Sequence, residues 1–333
     1  MFDVAVLIGR FQPFHNGHAT LLEDAFSVGR KVVLVLGSAG AAPSPRNPFS
    51  AAQREAMIRS SLDVEKNARL VVVGQRDVWD TPRWAEQVHA TVTAAASGTT
   101  ALVGHHKDAT SAYLDHFPSW TTVEIPRRGP LDATPLREQI LSPHACDEVL
   151  DAIRGSIPAG TMRWLENWAT GPQRQDLTQE SIAISRYRER WGTGPFIAAD
   201  AVVRCGGSVL LVRRATPMGN GLWALPGGLA QPGEQLEVAS RREAKARTGI
   251  DLSGIRPTGA EVFAHPGRSL RGRIVTHVFL YELDLDEAPA VKCGERDSEA
   301  AWVPITELAS LESCLFEDHF HILDRMLGGI LAG

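Results

Sequence analysis

The sequence predicts an α/β protein in which a doubly wound parallel sheet is followed by a smaller α+β unit. Apolar runs alternate with amphipathic stretches along residues 4–169, the connections are short, and a polar stretch then precedes a second set of apolar runs. Strand–helix alternation with short connections is typical of a parallel sheet covered by helices on both faces. The length of 333 residues also suits two domains.

Five stretches of the first part are predicted as strands. They are Val4–Ile8, Val32–Leu36, Leu70–Val73, Ala101–Val103 and Thr121–Ile125. Helices are predicted where apolar residues recur at helical spacing. These stretches lie near residues 18–28, 50–62, 82–96, 108–115, 134–141, 145–153 and 159–169. Because ligands of such sheets bind outside the carboxyl ends of the strands, we expect the site in the loops that follow them.

A polar stretch separates the two parts and ends in Gly-Thr-Gly-Pro. We predict a first domain over residues 1–170 and a second over residues 195–333. Residues 171–194 are predicted as a linker that contains one helix near 178–190.

The second part has the pattern of an α+β unit. Phe196–Val203 and Val209–Arg213 are predicted to pair as strands across Gly206 and Gly207, because two adjacent glycines favour a hairpin turn. Further strands are predicted at Trp223–Gly228, Val262–Ala264 and Ile274–Leu283, and a helix at 234–248.

The composition is that of an ordinary globular protein, with 44% hydrophobic and 22% charged residues. The net charge of −5 gives no basic field that would favour nucleic acid. The four cysteines are scattered and form no Cys-x-x-Cys pair, which predicts reduced thiols in a cytoplasmic protein. No apolar run approaches the ~18 residues of a membrane span, and Asp3 lies in the first strand, so neither a membrane segment nor a signal peptide is predicted. The sequence leaves a homo-oligomer open.

The loop after the first strand carries the strongest functional signal. Residues 9–18 read Gly-Arg-Phe-Gln-Pro-Phe-His-Asn-Gly-His. Arg10, His15 and His18 place positive or proton-donating groups at a helix N-terminus, which favours anions. Gly17 removes a side chain where a phosphate would approach the backbone. We predict a nucleotide site here, at which the chemistry occurs.

Three further side chains are candidates for phosphate contacts. Arg46 lies in a Gly-, Pro- and Ser-rich loop, and Lys107 follows the fourth predicted strand. Thr134 is predicted as the N-cap of a helix with Pro135 at its first position, so that Arg137 lies one turn further on. Taken singly, the Arg46 and Lys107 strings are also compatible with surface loops, and the Thr134 string is compatible with an ordinary capped helix.

Together these strings resemble the nicotinamide mononucleotide adenylyltransferases, a branch of the nucleotidyltransferase superfamily with a Rossmann-like fold and the motif His-x-Gly-His. The likeness covers roughly residues 4–145. It implies adenylyl transfer from ATP to nicotinamide mononucleotide, giving NAD and pyrophosphate, with magnesium accompanying the ATP. The residues implied at the phosphates are His15, His18 and Arg137 as catalytic groups, with Arg10, Gly17, Arg46, Lys107 and Thr134 as binding groups. The chain departs from the family at Asp132, where the closing motif has serine.

The same resemblance implies a place for the mononucleotide base. Trp84 would stack on the pyridine ring, and Asp77 or Asp80 would accept from its carboxamide, although a tryptophan at such a position also suits the core. The sequence does not choose between the amide and the acid form of the base. A transferase of the same superfamily that acts on pantetheine phosphate or another phosphorylated alcohol is the nearest alternative.

A second pattern, in the second part, resembles the Nudix box. That box reads Gly, five residues, Glu, seven residues, then Arg-Glu-apolar-x-Glu-Glu-x-Gly-apolar. The residues in register are Gly228, Glu234, Arg242, Glu243, Ala244, Gly249 and Ile250. The order of domains resembles the bifunctional adenylyltransferase/Nudix hydrolases, whose second half cleaves ADP-ribose-type diphosphates.

The Nudix box is degenerate at the residues that bind metal. Ala246 and Arg247 replace the usual pair of glutamates, so Glu243 and Glu234 remain as the only candidate ligands within the box. Positions 243, 246 and 247 share one helical face, where three carboxylates would converge on a divalent ion. We therefore predict that hydrolysis is weak or lost.

Two alternatives for the second part stay open. The enzyme is fully bifunctional if acids from elsewhere complete the metal site, and the candidates are Glu295, Asp297 and Glu299. Otherwise the chain is a non-catalytic sensor of NAD or ADP-ribose, in which Arg247 holds a diphosphate directly.

Overall fold

The computed structural model describes residues 1–104, 115–126 and 132–330. The chain divides into two compact units, residues 1–178 and 179–333. The division falls inside the helix Pro172–Trp191, which occupies most of the segment predicted as a linker. The domain bounds expected from the sequence stay a prediction.

The described part of the first unit contains a sheet of five parallel strands. The strands are β1 (Phe2–Gly9), β2 (Gly29–Leu36), β3 (Leu70–Gly74), β4 (Thr100–Gly104) and β5 (Thr121–Glu124). Their order across the sheet is β3-β2-β1-β4-β5, so the direction of winding reverses between β1 and β4. The predicted doubly wound parallel sheet is confirmed, and the reversal opens a crevice at the carboxyl ends of β1 and β4.

Helices cover both faces of this sheet. They are α1 (Asn16–Val28), α2 (Ala51–Arg59), α3 (Val64–Arg69), α4 (Thr81–Ala95), α5 (Ala133–Ile140), α6 (Cys146–Ile153), α7 (Ala159–Ala169) and α8 (Pro172–Trp191). Helix α3 was not predicted, because six residues are too few to establish a helical period. The helix expected near 108–115 falls almost entirely outside the described residues.

Alternate residues of the central strand enter two different cores. Ala5 and Leu7 of β1 belong to one hydrophobic cluster, and Val4 and Val6 belong to another on the opposite face. Successive side chains of a strand point to opposite faces, so a continuous apolar run requires cover on both sides. This explains why the strand has no polar residue between Val4 and Ile8.

The second unit is built on a mixed sheet with the order β10-β11-β6-β7-β12, and β8 and β9 pair with β7 and β6. The strands are β6 (Phe196–Cys205), β7 (Ser208–Arg214), β8 (Trp223–Ala224), β9 (Gly227–Leu229), β10 (Gly259–Phe263), β11 (Ile274–Leu283) and β12 (Asp297–Pro304), and the helices are α9 (Leu236–Thr248) and α10 (His319–Met326). Cys205 pairs with Ser208, so the predicted hairpin is present. Strand β12 and helix α10 were not predicted. Within the described ranges, no helix is long and apolar enough to cross a membrane.

Helix α7 approaches the end of α2 closely at Gly160. A Cβ atom at this position would lie 2.1 Å from the carbonyl oxygen of Ser60. Because backbone cannot yield as a flexible side chain does, we expect Gly160→Ala to lower stability by about 1–3 kcal/mol. Thermal unfolding measures the effect. Gly155→Ala is the matched control, since nothing lies within 4 Å of its Cβ position; equal shifts in the two variants would contradict the close approach.

Candidate active site

The loop between β1 and α1 brings two histidine rings together. His15 is the N-cap of α1, and its Nδ1 accepts the backbone N–H of His18 at 3.3 Å. The two imidazoles stack with centroids 3.7 Å apart and planes inclined by 19°. Because Nδ1 accepts in this arrangement, a neutral His15 carries its proton on Nε2 and can donate it to a ligand. Gly17 lies in the first turn of α1 between them.

His18 is held in its neutral form. Burial lowers its pKa well below 6.5, and the charge of His15 acts in the same direction. Its Nδ1 is buried and has no hydrogen-bond partner in the part of the chain that the structure describes. The ligand-free site is therefore less cationic than the sequence suggests, but an arriving anion would favour the protonated ring.

Arg137 reaches from α5 to the same loop. Its Nη1 donates to the carbonyl oxygen of Gln12 at 2.9 Å, and its Nη2 donates to Thr134 Oγ1 at 2.9 Å. The residue is 8% exposed, and burial lowers its pKa to about 10, so it stays charged at neutral pH. Its charge also acts on His18 and lowers the pKa of that ring.

Two further predicted arginines belong to this neighbourhood. The charges of Arg10 and Arg46 each lower the pKa of Arg137, whereas Asp132 raises it. The predicted residues His15, His18, Arg137, Arg10 and Arg46 thus act on one region of the first unit. Lys107 lies outside the described residues, so its predicted phosphate contact is not described.

The start of α5 differs from the prediction. Asp132 is the N-cap, and its Oδ1 accepts the N–H of Thr134 at 3.1 Å. The prediction that Thr134 caps this helix is wrong, because a carboxylate two residues earlier takes that role. Thr134 instead lies within the helix, where its hydroxyl accepts from Arg137. The capping bond also explains how an acid is tolerated here: the backbone N–H groups of the helix neutralise it.

Gln12 joins three parts of the site, a role that the sequence did not reveal. Its side-chain amide donates to the carbonyl of Phe49 at 2.8 Å and accepts the Phe49 N–H at 3.0 Å. Its own carbonyl accepts from Arg137, and the residue is 1% exposed. The only signal in the sequence is a polar residue between two phenylalanines, Phe11 and Phe14.

Arg54 was also missed, although it is fully buried in α2. Its guanidinium donates to backbone carbonyls at the ends of β1 and β2 and at the start of α2. The acceptors are Arg10 at 2.7 Å, Gly37 at 2.7 Å, Ser38 at 3.3 Å and Ser50 at 3.3 Å. Burial lowers its pKa to about 10, and Asp77 opposes this change. The available signal was its position on the buried face of α2 with Met57 and Ile58.

The residues predicted for the base have structural contacts of their own. Asp77 accepts from Ser38 Oγ at 2.6 Å, and Asp80 is the N-cap of α4, where it accepts the N–H of Arg83 at 2.9 Å. The Trp84 ring lies edge-on to Phe117, with centroids 6.2 Å apart. Trp84 is half-buried at the edge of a core cluster. Their contacts with a base stay a prediction.

In the second unit, the two remaining Nudix carboxylates are paired with arginines. Both oxygens of Glu234 accept from Arg242, at 2.7 and 2.9 Å, and this pairing lowers the pKa of Glu234 to about 2. Glu243 accepts from Arg242 at 2.5 Å and from Arg296. A Cβ at Gly228 would lie 2.6 Å from the Glu243 carboxyl carbon, so a larger residue there would displace that carboxylate. Gly249 ends α9 with a φ of 75°, a conformation that favours glycine.

Arg247 is bonded to an acid and to backbone carbonyls. Its Nε donates to Asp297 Oδ2 at 2.8 Å, its Nη2 donates to Asp297 Oδ1, and its Nη1 donates to the carbonyl of Gly227 at 3.2 Å. Arg247 is 5% exposed, so this is a buried ion pair. Arg247 was expected to hold a diphosphate, and Asp297 was a candidate acid to complete a metal site. In the structure these two side chains bond to each other instead.

The donor set of the second unit does not fit a divalent ion. Among the residues described, no group of three or more His, Cys, Asp or Glu side chains is placed to hold a metal. The side chain at position 246 has no oxygen, and the carboxylates of Glu234 and Glu243 bond to guanidinium groups. Magnesium requires several oxygen ligands in near-octahedral geometry.

Two family models match the chain in succession. A model described as cytidylyltransferase-like matches residues 6–109, and one described as NUDIX domain matches residues 195–326. The two matches fall in the two compact units described above.

Individual proteins resemble either about half of the chain or nearly all of it. The nicotinamide/nicotinic acid mononucleotide adenylyltransferase of Acinetobacter baylyi is 35% identical over 182 residues, which are 54% of this chain and 93% of that protein. The crystal structure of a bifunctional NMN adenylyltransferase/ADP ribose pyrophosphatase from Francisella tularensis has 28% identity and a TM-score of 0.90, covering 99% of this chain and 100% of that one. A structure of that bifunctional protein complexed with AMP and a Mn ion has 28% identity and a TM-score of 0.88, covering 98% and 99%.

The stacked histidines predict a measurable titration. We expect His18 to titrate below 6.5 in the free protein, because burial and neighbouring positive groups penalise its charged form. The pKa of His18 is lower in the folded protein than in the unfolded chain. The free energy of unfolding should therefore decrease as the pH falls from 6.5 towards the pKa of the folded state. Histidine NMR measures this pKa, and His18→Gln assigns the signal. Added tripolyphosphate should raise the pKa. A value of 6.5 or more without anion would contradict the burial of the ring.

Proposed function

This chain belongs to the family of nicotinamide mononucleotide adenylyltransferases that carry a Nudix domain, and we propose that its first unit transfers the adenylyl group of ATP to nicotinamide mononucleotide. The products are NAD and pyrophosphate. The observation that carries the proposal is the cluster of His15, His18 and Arg137 beside the carboxyl end of β1. Such a cluster suits two phosphate-bearing substrates, because it offers donors and positive charge at one place.

The reaction is an in-line displacement at phosphorus. A 5′-phosphate oxygen of the mononucleotide forms a bond to the α-phosphorus of ATP, while the bond from that phosphorus to the bridging oxygen breaks. Pyrophosphate leaves with the electron pair. The attacking group is already an anion, so no general base is needed. The protein must align the two anions and neutralise charge that moves onto the leaving group.

Each residue of the cluster has a distinct part in this step. Arg137 supplies a fixed charge, because its guanidinium is braced by Gln12 and Thr134. His15 donates from Nε2. His18 takes up a proton as the phosphates arrive, since they reverse the penalty on its charged form. Arg10, Arg46 and Lys107 add charge along the phosphate chain, and Gly17 leaves room for it.

Magnesium belongs to the substrate in this scheme and enters bound to the ATP phosphates. The first site suits a metal held mainly by substrate, because its charged groups are chiefly arginines and its nearby acid, Asp132, caps α5. Trp84 and either Asp77 or Asp80 would receive the base of the mononucleotide. A cytoplasmic location agrees with the four cysteines, all of which are free thiols in the described ranges.

For the second unit, we propose that hydrolysis of ADP-ribose-type diphosphates is lost or severely weakened. Hydrolysis by such a site requires a divalent ion that activates water. The pairing of Glu234 with Arg242, and of Arg247 with Asp297, supports the loss. Full bifunctionality is the alternative, and the likeness of the whole chain to a bifunctional enzyme favours it. The unit would still bind ADP-ribose or NAD.

Removing the fixed charge of the first site tests the transferase. We expect Arg137→Gln to lower kcat/KM for NAD formation about 100-fold or more, because a preorganised donor to the phosphates is lost. A coupled assay of NAD from ATP and nicotinamide mononucleotide measures this. Arg163→Gln is the matched control, since Arg163 is exposed in the same unit. Activity of Arg137→Gln within about twofold of wild type would contradict the role given to Arg137.

The loss of hydrolysis has its own test. We expect no release of AMP when the full chain is incubated with ADP-ribose and either magnesium or manganese, because the metal site lacks ligands. Chromatography of the nucleotides measures AMP, and NAD synthesis by the same preparation shows that it is folded. The proposal is overturned by AMP release that grows with enzyme concentration and disappears in Glu243→Gln.

A further inference from the structure

The loop that carries Arg46 contains a tight turn. The N–H of Asn47 donates to the carbonyl of Ser44 at 3.0 Å and to Ser44 Oγ at 3.2 Å, and the N–H of Ser44 donates to the carbonyl of Asn47 at 3.2 Å. These bonds close a four-residue turn with Pro45 at its second position and Arg46 at its third. Proline restricts the backbone at the second position of such a turn. Arg46 is therefore carried by a segment that is closed on itself.

The two residues that follow this turn are held by amide side chains. Gln12 bonds both the N–H and the carbonyl of Phe49. Gln173 bonds the preceding residue, because its Nε2 donates to the carbonyl of Pro48 at 2.8 Å. Gln173 lies in the first turn of α8, in the part of that helix that belongs to the first unit. Consecutive backbone groups next to Arg46 are thus fixed by two distant segments of the chain.

The amide of Gln173 has one orientation that satisfies its neighbours. Its Oε1 accepts from Trp168 Nε1 at 3.0 Å and from Gln53 Nε2 at 3.1 Å. Exchanging the oxygen and nitrogen would place N–H groups against these two donors and an oxygen against the Pro48 carbonyl. Gln53 is itself fixed, since its Oε1 accepts the N–H of Ser50 in the capping box of α2. The N–H of Gln173 is therefore directed at Pro48.

Aromatic packing joins the same groups. Phe49 is 1% exposed, and its ring lies edge-on to the rings of Trp168 and Trp164 in α7, with centroids 4.8 and 5.6 Å apart. Trp168 thus contacts Phe49 through its ring and Gln173 through its indole N–H. We call Gln12, Phe49, Trp168 and Gln173 together the loop clamp.

The loop clamp holds a residue that acts on the phosphate cluster. Burial lowers the pKa of Arg137, and the charges of Arg10 and Arg46 lower it further, so Arg46 is within electrostatic reach of that cluster. Arg46 lies two residues before Pro48. A shift of the Pro48 carbonyl would therefore be transmitted through the short turn to the arginine.

We propose that Gln173 is a positioning residue for ATP, because it fixes the Pro48 carbonyl and thereby holds Arg46 in place for the phosphates. The inference rests on the proposed adenylyl transfer and adds a residue of α8 to it. A guanidinium group that is already held in place loses less conformational freedom when the triphosphate binds. Gln173 therefore affects the binding of ATP and not the displacement at phosphorus.

Gln173→Glu changes one contact of this amide selectively. Glutamate keeps an oxygen that accepts from Trp168 and Gln53, but it places a second oxygen against the Pro48 carbonyl. We expect the KM for ATP to rise about tenfold, because a hydrogen bond is replaced by repulsion. The KM for nicotinamide mononucleotide and kcat should change by less than about twofold, and the retained kcat shows that the variant is folded.

Gln175→Glu is the matched control for the added charge. Gln175 is exposed and lies two residues further along α8, so its replacement adds the same charge without touching the loop clamp. We expect its KM for ATP to equal that of wild type. An unchanged KM for ATP in Gln173→Glu overturns the proposal, and so does an equal rise of the KM for both substrates.

A double variant tests whether Gln173 acts through Arg46. We expect Arg46→Gln alone to raise the KM for ATP, because it removes a charged donor to the phosphates. If Gln173 acts by holding this arginine, Gln173→Glu has no further effect once Arg46 is replaced, so the two changes are non-additive. Effects on the KM for ATP that multiply in the double variant overturn the proposal.

Hydrogen exchange on the full chain separates this inference from the proposed function. Without ligand, we expect the amide protons of Asn47 and Phe49 to exchange faster in Gln173→Glu than in wild type or Gln175→Glu, because the loop has lost an anchor. Equal exchange in all three proteins overturns the loop clamp, whatever the kinetics. If wild type forms no NAD, the proposed function fails and the role of Gln173 in ATP binding fails with it, even where exchange is faster.

Discussion

The first site depends on a buried positive charge that holds backbone rather than ligand. Loops that follow parallel strands contain carbonyl groups that form no hydrogen bonds within the sheet. Arg54 donates hydrogen bonds to several of these carbonyls at once. Burying a guanidinium group is unfavourable unless its N–H groups form hydrogen bonds. Here they bond to carbonyl oxygens that follow the ends of β1 and β2. Gln12, in the same loop, presents its carbonyl to Arg137. Preorganisation of this kind reduces the reorganisation that a charged transition state demands.

The second unit illustrates a different use of the same chemical group. Guanidinium groups occupy the surroundings where a hydrolase would hold divalent ions, and the acids Glu234, Glu243 and Asp297 bond to them. An arginine supplies charge and directed hydrogen bonds, but it has no empty coordination position for water. The Nudix fold and its loop glycines are present, and the pairing of these acids with arginines supports our proposal that cleavage is lost or weakened. A domain can keep its fold while its metal site changes, because packing and metal ligation depend on different side chains.

Much of the architecture followed from local pattern. Four strands of the first sheet could be predicted because each contains a continuous apolar run, whereas β5 is the polar stretch Thr-Thr-Val-Glu. The hairpin of the second unit could be predicted because two glycines separate its strands. Strand β12 was not predicted from the sequence, because it lies at the edge of its sheet and mixes polar with apolar residues. Helix α10 was not predicted, although it has the same length as α5 and α6. The cap of α5 was misassigned because Asp132 and Thr134 are both good capping residues, and only the backbone geometry selects between them.

The sequence by itself determined the two kinds of domain, their order, the cationic loop after β1 and the missing glutamates of the Nudix box. Each of these features is a set of particular residue types at fixed spacing, so it can be recognised from a short segment of the sequence. Only the tertiary structure showed that Gln12 and Arg54 hold the loops of the first site together. It also showed that Arg247 forms an ion pair with Asp297. Finally, it showed that Arg214 and Arg271 both lie against the ring of Phe316. Each of these contacts joins distant segments, and the choice of partner for a buried charge depends on which acids and carbonyls the fold brings within hydrogen-bonding distance.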